Sequence, residues 1–420
     1  MSDPSATETL RDTLPRAAPR GRRSLSARLL DGLLGKLGAR IRHGTLTVEL
    51  PDGRRRVFSG AGEASAVWQL RSTRALWRVM TGGAMGLAES YLDGDWTTPD
   101  LTRLLMLLGA NEDRAGRSVE GVPLLRWFNR AWHRLHANTR RQSRRNIAFH
   151  YDLGNPFYAA WLDPTMTYSA AMFASPAVAD EPLAAAQTRK YAHLAALIGL
   201  APEHDVLEIG CGWGGFAEQA ARVGARVHGI SLSREQVAYA TARLADAGLA
   251  ERTSIELRDY RDVTRRYDRI ASIEMFEAVG ERYWPTYAET LARCLTADGV
   301  AGLQIITIDP VRFETYRRRP DFIQRYVFPG GMLPTEDILA RVFADAGLAI
   351  TRTVRFGLDY ARTLALWLDA FDAAWPSLVP MGFDERFRRL WRYYLCYCEA
   401  GFRLGAIDVV QLRVEPARNA

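Results

Sequence analysis

The stretch LEIGCGWGGF at 207–216 constrains the fold more than any other part of the chain. An apolar strand pattern, DVLEIG, ends on Gly210. Glycines follow at 212, 214 and 215, and a helical pattern opens directly behind them. Residues without side chains let the backbone turn sharply and approach a ligand closely. The rhythm around this unit is strand–helix alternation. A helix over 183–199 precedes it. Strand ARVHGI, a helix over 233–248, strands SIELRD and DRIASIEM, a helix over 283–296 and strand VAGLQIIT follow. That pattern predicts a doubly wound parallel sheet. Beyond it come a helix at 335–347, strand AITRTVRF, helices at 361–373 and 384–400, and a closing strand AIDVVQLRV. The two late strands predict an antiparallel pair at the sheet edge.

The fold class is therefore α/β, with a Rossmann-like domain over 146–420. The first 112 residues read differently. Residues 1–20 contain prolines, Ser and Thr without periodicity and read as a disordered tail. TLTVELPDGRRRVF at 45–58 reads as a hairpin around a Pro-Asp-Gly turn, and helical patterns follow at 73–92 and 99–109. This predicts a small α+β domain over 21–112, joined by a basic helical linker over 113–145.

The charge is uneven. Of a net +7, residues 1–45 contribute +5 and residues 114–145 contribute +8, which leaves the remainder acidic. Nucleic acid or an anionic membrane surface would suit the basic parts, and a solvated arginine-rich linker is the plain alternative. The pattern favours a membrane. Trp127, Phe128 and Trp132 alternate with Arg126, Arg130, Arg134 and the cluster Arg140–Arg145, as at a lipid interface. Leu25, Leu29, Leu30, Leu33, Leu34 and Leu37 form a helical stripe. Such a stripe packs on its own core first, and otherwise lies on a bilayer or forms a homodimer seam. No apolar run is long enough to span a bilayer, and the N-terminus carries no secretory pattern. Cys211, Cys294, Cys396 and Cys398 show no metal spacing, so no metal is expected. A cytoplasmic protein held peripherally on the inner membrane face is the expectation.

The glycine loop also satisfies G-x-G-x-x-G, so a dinucleotide is one reading. Against it, Glu208 sits inside the loop signature, and HGISLS after the next strand offers no acid to a ribose. A strand–[D/E]-x-G-x-G–helix loop is typical of S-adenosylmethionine (SAM) sites instead.

Nine stretches in order resemble the cyclopropane-fatty-acyl-phospholipid synthases, SAM-dependent lipid methyltransferases. They are FHYDLGNPFY (149–158), LDPTMTYS (162–169), LEIGCGWGGF, SLSREQ (231–236), RDYRD (258–262), MFEAVG (275–280), FIQRYVFPGGMLP (322–334), FGLDYARTLALW (356–367) and YYLCYCEAGFRLGAID (393–408). The resemblance implies SAM contacts from Tyr168 and Ser169, from Glu208, Gly210, Gly212 and Gly214, from Ser231, Leu232, Ser233 and Gln236, and from Asp259 and Tyr260. Ser231–Ser233 would equally serve as a helix cap. It further implies that Glu277 and Tyr360 hold a bicarbonate ion, and that Cys398 is an active-site cysteine, although a small buried wall residue is an equal reading.

An alkene attacking a SAM methyl leaves a carbocation on the acyl chain. Water must be excluded, and aromatic faces stabilise the cation by about 0.5–2 kcal/mol each. Phe149, Tyr151, Tyr168, Phe276 and Tyr360 are candidates. Ring closure then needs a base, which in the family is bicarbonate. Here Ala170, Ala278 and Gln304 stand where the family usually has Cys, His and His. Alanine donates no side-chain hydrogen bond and glutamine carries no charge. The sequence thus predicts a weakened or lost bicarbonate pocket, and a methyl-branched or methylene product rather than a ring. The expected substrate is a phospholipid with an unsaturated acyl chain. A nucleic-acid methyltransferase is the rival reading, because NPFY at 155–158 partly matches an N-P-P-Y site; its third residue is Phe, and no nucleic acid is expected. A non-catalytic lipid-binding protein on the same fold is the other.

Overall fold

The computed structural model describes residues 25–112, 153–175 and 180–417. The tail over 1–20 and the linker over 113–145 lie outside the described residues, as do Phe149 and Tyr151.

The N-terminal residues form a four-stranded sheet in the order β2 (Arg55–Ser59), β1 (His43–Glu49), β3 (Ala61–Leu70), β4 (Trp96–Thr97). The hairpin forms as read: Leu46 pairs with Phe58 and Val48 with Arg56. Period-two alternation turns Leu46 and Val48 into the core. Strand β3 was not legible. Its first half, AGEAS, is exposed and built of small residues around Glu63, and only Ala66, Trp68 and Leu70 alternate inward. It lies parallel to β1, with Val48 opposite Trp68.

Helix Leu25–Gly38 carries the leucine stripe, and Leu34 is buried against the domain's own core. Helix Arg74–Leu92 is broken at Gly83, whose φ of 62° and ψ of −139° are not helical. Helix Leu101–Ala110 starts at Asp100, which caps Arg103 N at 2.8 Å. It packs on the C-terminal helix Glu385–Arg403, where Thr102 Oγ1 donates to Glu399 Oε2 at 2.8 Å. Tyr91 and Tyr393 also meet across this seam, with ring centroids 5.7 Å apart. One apolar core therefore runs from the N-terminal sheet into the C-terminal helices.

The second sheet has seven strands in the order β10 (Leu348–Arg355), β11 (Ile407–Pro416), β9 (Leu295–Ile308), β8 (Tyr267–Ile273), β5 (Asp205–Ile209), β6 (Arg226–Ser231), β7 (Thr253–Leu257). β9 through β7 are parallel, and β11 and β10 form the expected antiparallel pair at the edge. Helices cover both faces, which is why the central strands read as nearly continuous apolar runs. Helices Gly357–Leu378 and Glu385–Arg403 pack together beyond the strand ends. Among the described residues no helix is long and apolar enough to cross a membrane.

Candidate active site

The glycine loop leaves β5 and enters helix Gly215–Val223. Gly210 N and Cys211 N both donate to Ile230 O, at 2.9 and 3.0 Å, which ties the loop to β6. Gly212 has φ +51°, and a Cβ built there meets no protein atom within 4 Å. That side of the loop faces a cavity of about 940 Å³. Tyr168, Ser169, Glu208, Gly210, Gly212, Ser231, Leu232, Gln236 and Tyr260 all line it.

The remaining expected cofactor residues hold the frame. Gly214 faces Ala240, 3.1 Å from its built Cβ. Ser233 is the cap of helix Arg234–Asp246 and accepts from Gln236 N at 3.3 Å, a contact of the kind worth ~1 kcal/mol. Ser231 Oγ donates to Gln236 Oε1 at 2.8 Å, locking the amide that lines the cavity. Asp259 is buried in an ion pair with Arg261 at 2.6 Å. Gly214, Ser233 and Asp259 thus support the frame, while their neighbours Gly212, Ser231 and Tyr260 line the cavity.

Glu208 is buried, and its Oε2 has no hydrogen-bond partner. Burial pushes its carboxyl up to about 8. An orphaned acidic oxygen beside a glycine cradle fits a ligand bearing positive charge, as SAM does at both its sulfonium and its ammonium groups. The only described cation buried beside it is Lys190, which the sequence reading missed. Lys190 Nζ donates to Ser169 Oγ at 2.6 Å, and burial drives its amine down to about 7 against the pull of Glu274, Asp163 and Glu208. Its only signal was rarity, since Lys36 is the sole other lysine.

The same cavity passes Glu274, Glu277, Tyr360 and Cys398, and continues along Leu87, Leu105, Leu108, Phe322, Phe328 and Leu404. Glu277 Oε1 accepts from Ile306 N, and burial, then the charge of Glu274, pushes its carboxyl up to about 8. Cys398 is half-buried on the last long helix. Burial raises its thiol far above the ordinary range, so it stays protonated and serves as wall. Phe276 does not reach the cavity. It stacks on Trp284 and meets Tyr287 edge-on in the core behind the cavity, so among the described candidates the rings that line the cavity are Tyr168 and Tyr360.

Ala170, Ala278 and Gln304 predicted a weakened or lost bicarbonate pocket. The structure centres this pocket on Glu274, which the sequence reading did not single out. Tyr360 Oη donates to Glu274 Oε2 at 2.7 Å, while Ala170 N and Gln304 Nε2 each donate to Oε1 at 2.8 Å. These donors are satisfied by a carboxylate of the chain itself, so the residues present do not fit a bicarbonate there. Glu274 follows the end of β8 with φ +51°, an uncommon conformation for a residue with a side chain. In SIEMFEAVG it was visible only as an acid inside an apolar run.

Residues 138–412 match the family described as mycolic acid cyclopropane synthetase. The chain belongs to that family. It is accordingly a SAM-dependent C-methyltransferase. Over 341 residues it is 42% identical to a tuberculostearic acid methyltransferase of Mycobacterium tuberculosis, covering 80% of this chain and 79% of that one. It is 33% identical over 363 residues to the cyclopropane-fatty-acyl-phospholipid synthase of Escherichia coli, covering 84% and 88%. The crystal structure of a mycolic acid cyclopropane synthase complexed with SAH and CTAB superposes with a TM-score of 0.59 at 30% identity, covering 64% of this chain and 97% of that one.

Proposed function

We propose that this enzyme transfers the SAM methyl group to the double bond of an unsaturated acyl chain in membrane phospholipid, leaving a methyl-branched or methylene chain rather than a cyclopropane ring. One observation carries the reading. A single cavity joins the glycine cradle and the orphaned Glu208 oxygen to a long apolar wall. When bound, SAM supplies an electrophilic methyl group. Glu208, Gly212 and the Ser231–Gln236 turn hold its charged and polar parts at one side of the cavity. The apolar wall takes the acyl chain and keeps water away from the cation. The faces of Tyr168 and Tyr360 and the carboxylate of Glu274 stabilise the positive charge where it forms. Ring closure is the second reading, favoured by the synthase of Escherichia coli among the relatives. The basic segments suit attachment to the anionic inner face of the membrane, where the substrate resides. A homodimer through the leucine helix is a further part of the reading, although Leu34 is already buried.

The test incubates purified enzyme with methyl-deuterated SAM and vesicles of a monounsaturated phospholipid. Deuterium in the released acyl chain is the expected result. An unlabelled lipid pool with SAM bound would overturn the assignment.

A further inference from the structure

We propose that Glu274 is the resident base of this active site, and that its carboxylate removes a proton from the newly transferred methyl carbon. The inference rests on the methyl-transfer reading above and assigns the step that completes it.

Glu274 is half-buried and lines the same cavity as the glycine loop. Three donors fix both of its oxygens: Ala170 N, Gln304 Nε2 and Tyr360 Oη. The sheet sets this geometry. β8 pairs with β9 so that Ile273 stands opposite Gln304, and β9 pairs with β11 so that Gln304 stands opposite Gln411. Gln411 Nε2 donates to Gln304 Oε1 at 3.0 Å, and Gln411 Oε1 lies 2.6 Å from His193 Nδ1. The chain of contacts orients the Gln304 amide so that its NH₂, not its oxygen, faces Glu274. Gln304 and Gln411 are thus positioning residues. Burial raises the Glu274 carboxyl above its ordinary value while the three donors hold it down, which suits a group that must accept a proton and then release it. The left-handed backbone at Glu274 places this carboxyl among the donors, an unfavourable conformation retained at a site of chemistry.

The step balances without an external oxidant or reductant. The alkene π pair forms the bond to the methyl carbon as that carbon's bond to sulfur breaks, and the sulfur keeps the pair. A hydride shifts from the methylated carbon to its cationic neighbour and moves the positive charge onto the methylated carbon. Glu274 takes a proton from the methyl group, the C–H pair becomes the double bond of a methylene branch, and the carboxyl later loses its proton to solvent. Without the hydride shift the same deprotonation closes a ring. The base is common to both products.

The experiment compares wild type, Glu274→Gln and Glu274→Gly with methyl-deuterated SAM and dioleoyl phosphatidylglycerol vesicles, in carbon-dioxide-free buffer and with added bicarbonate. Wild type is expected to turn over equally in both buffers and to keep two of the three deuteriums on the new carbon. Glu274→Gln should lose about 10²–10⁴-fold in turnover while binding SAM as wild type does. Glu274→Gly, whose backbone suits the left-handed conformation, should regain turnover with bicarbonate filling the vacated donors. Wild-type turnover by Glu274→Gln, or a wild type that stops without bicarbonate, overturns the role of Glu274 alone. A wild type that binds SAM and labels no lipid overturns the methyl-transfer reading and the role together.

Discussion

Tyr360 Oη donates a 2.7 Å hydrogen bond to Glu274 Oε2, joining the first turn of helix Gly357–Leu378 to the end of β8 across 86 residues of chain. The bond stabilises the carboxylate form of Glu274 against the burial that opposes it. Tyr360→Phe removes one donor and keeps the ring. Hydrogen bonds to charged groups contribute ~1.5–3 kcal/mol, so turnover should fall by about tenfold or more. With that donor gone, the acid limb of the pH–turnover profile should move to higher pH. A profile that stays in place would show that the bond does not tune the acid.

Gly212 sits where a side chain would enter the cavity. Gly212→Val should weaken SAM binding by about 100-fold or more, ~2.8 kcal/mol. Calorimetric titration of a variant with native circular dichroism checks this. Unchanged affinity would move the cofactor away from the loop.

Glu208 makes a prediction about pH. Its folded-state carboxyl is raised from 4.5 to about 8, so its contribution to stability is fully present below the unfolded value and lost as pH rises toward 8. Lys190, lowered to about 7, is protonated in both states below that and does not offset the loss between pH 5 and 6.5. The melting temperature of the SAM-free enzyme should therefore gain a downward slope from Glu208 in this window, and Glu208→Gln should make the slope shallower, leaving the share that Glu277, also raised to about 8, contributes. SAM affinity should rise with pH over the same range, because a cationic ligand favours the carboxylate. Parallel melting curves for wild type and variant would contradict the assignment.

Membrane attachment is tested separately from chemistry. Anionic vesicles should bind the enzyme, and high salt should weaken binding because exposed charges are screened beyond about 8–10 Å. Neutralising Arg140, Arg141, Arg144 and Arg145 of the basic segment over 113–145 should remove much of the effect. Co-sedimentation that ignores both salt and these substitutions would leave the attachment without an electrostatic basis.

The strand–glycine–helix unit, the alternation of strands and helices along the chain and the two late strands are properties of local pattern, and the chain by itself determined them. Apolar period and glycine spacing act over ten residues or so and need no partner. The family's motifs singled out Glu208, Gly212, Glu277 and Tyr360, and the fold brings all four to the lining of one cavity. Strand β3 escaped because half of it is exposed and gains its place only from pairing with β1. The acidic centre escaped for a related reason. Ala170, Gln304 and Tyr360 are separated by dozens of residues from Glu274, and whether a position counts as lost or filled depends on which side chain the sheet register brings there. Reading Ala170 and Gln304 singly suggested an absence of polar groups. Only the alignment of β8, β9 and β11 decides that a backbone N–H and an oriented amide converge on one carboxylate, because hydrogen-bond partnership is set by distance in space.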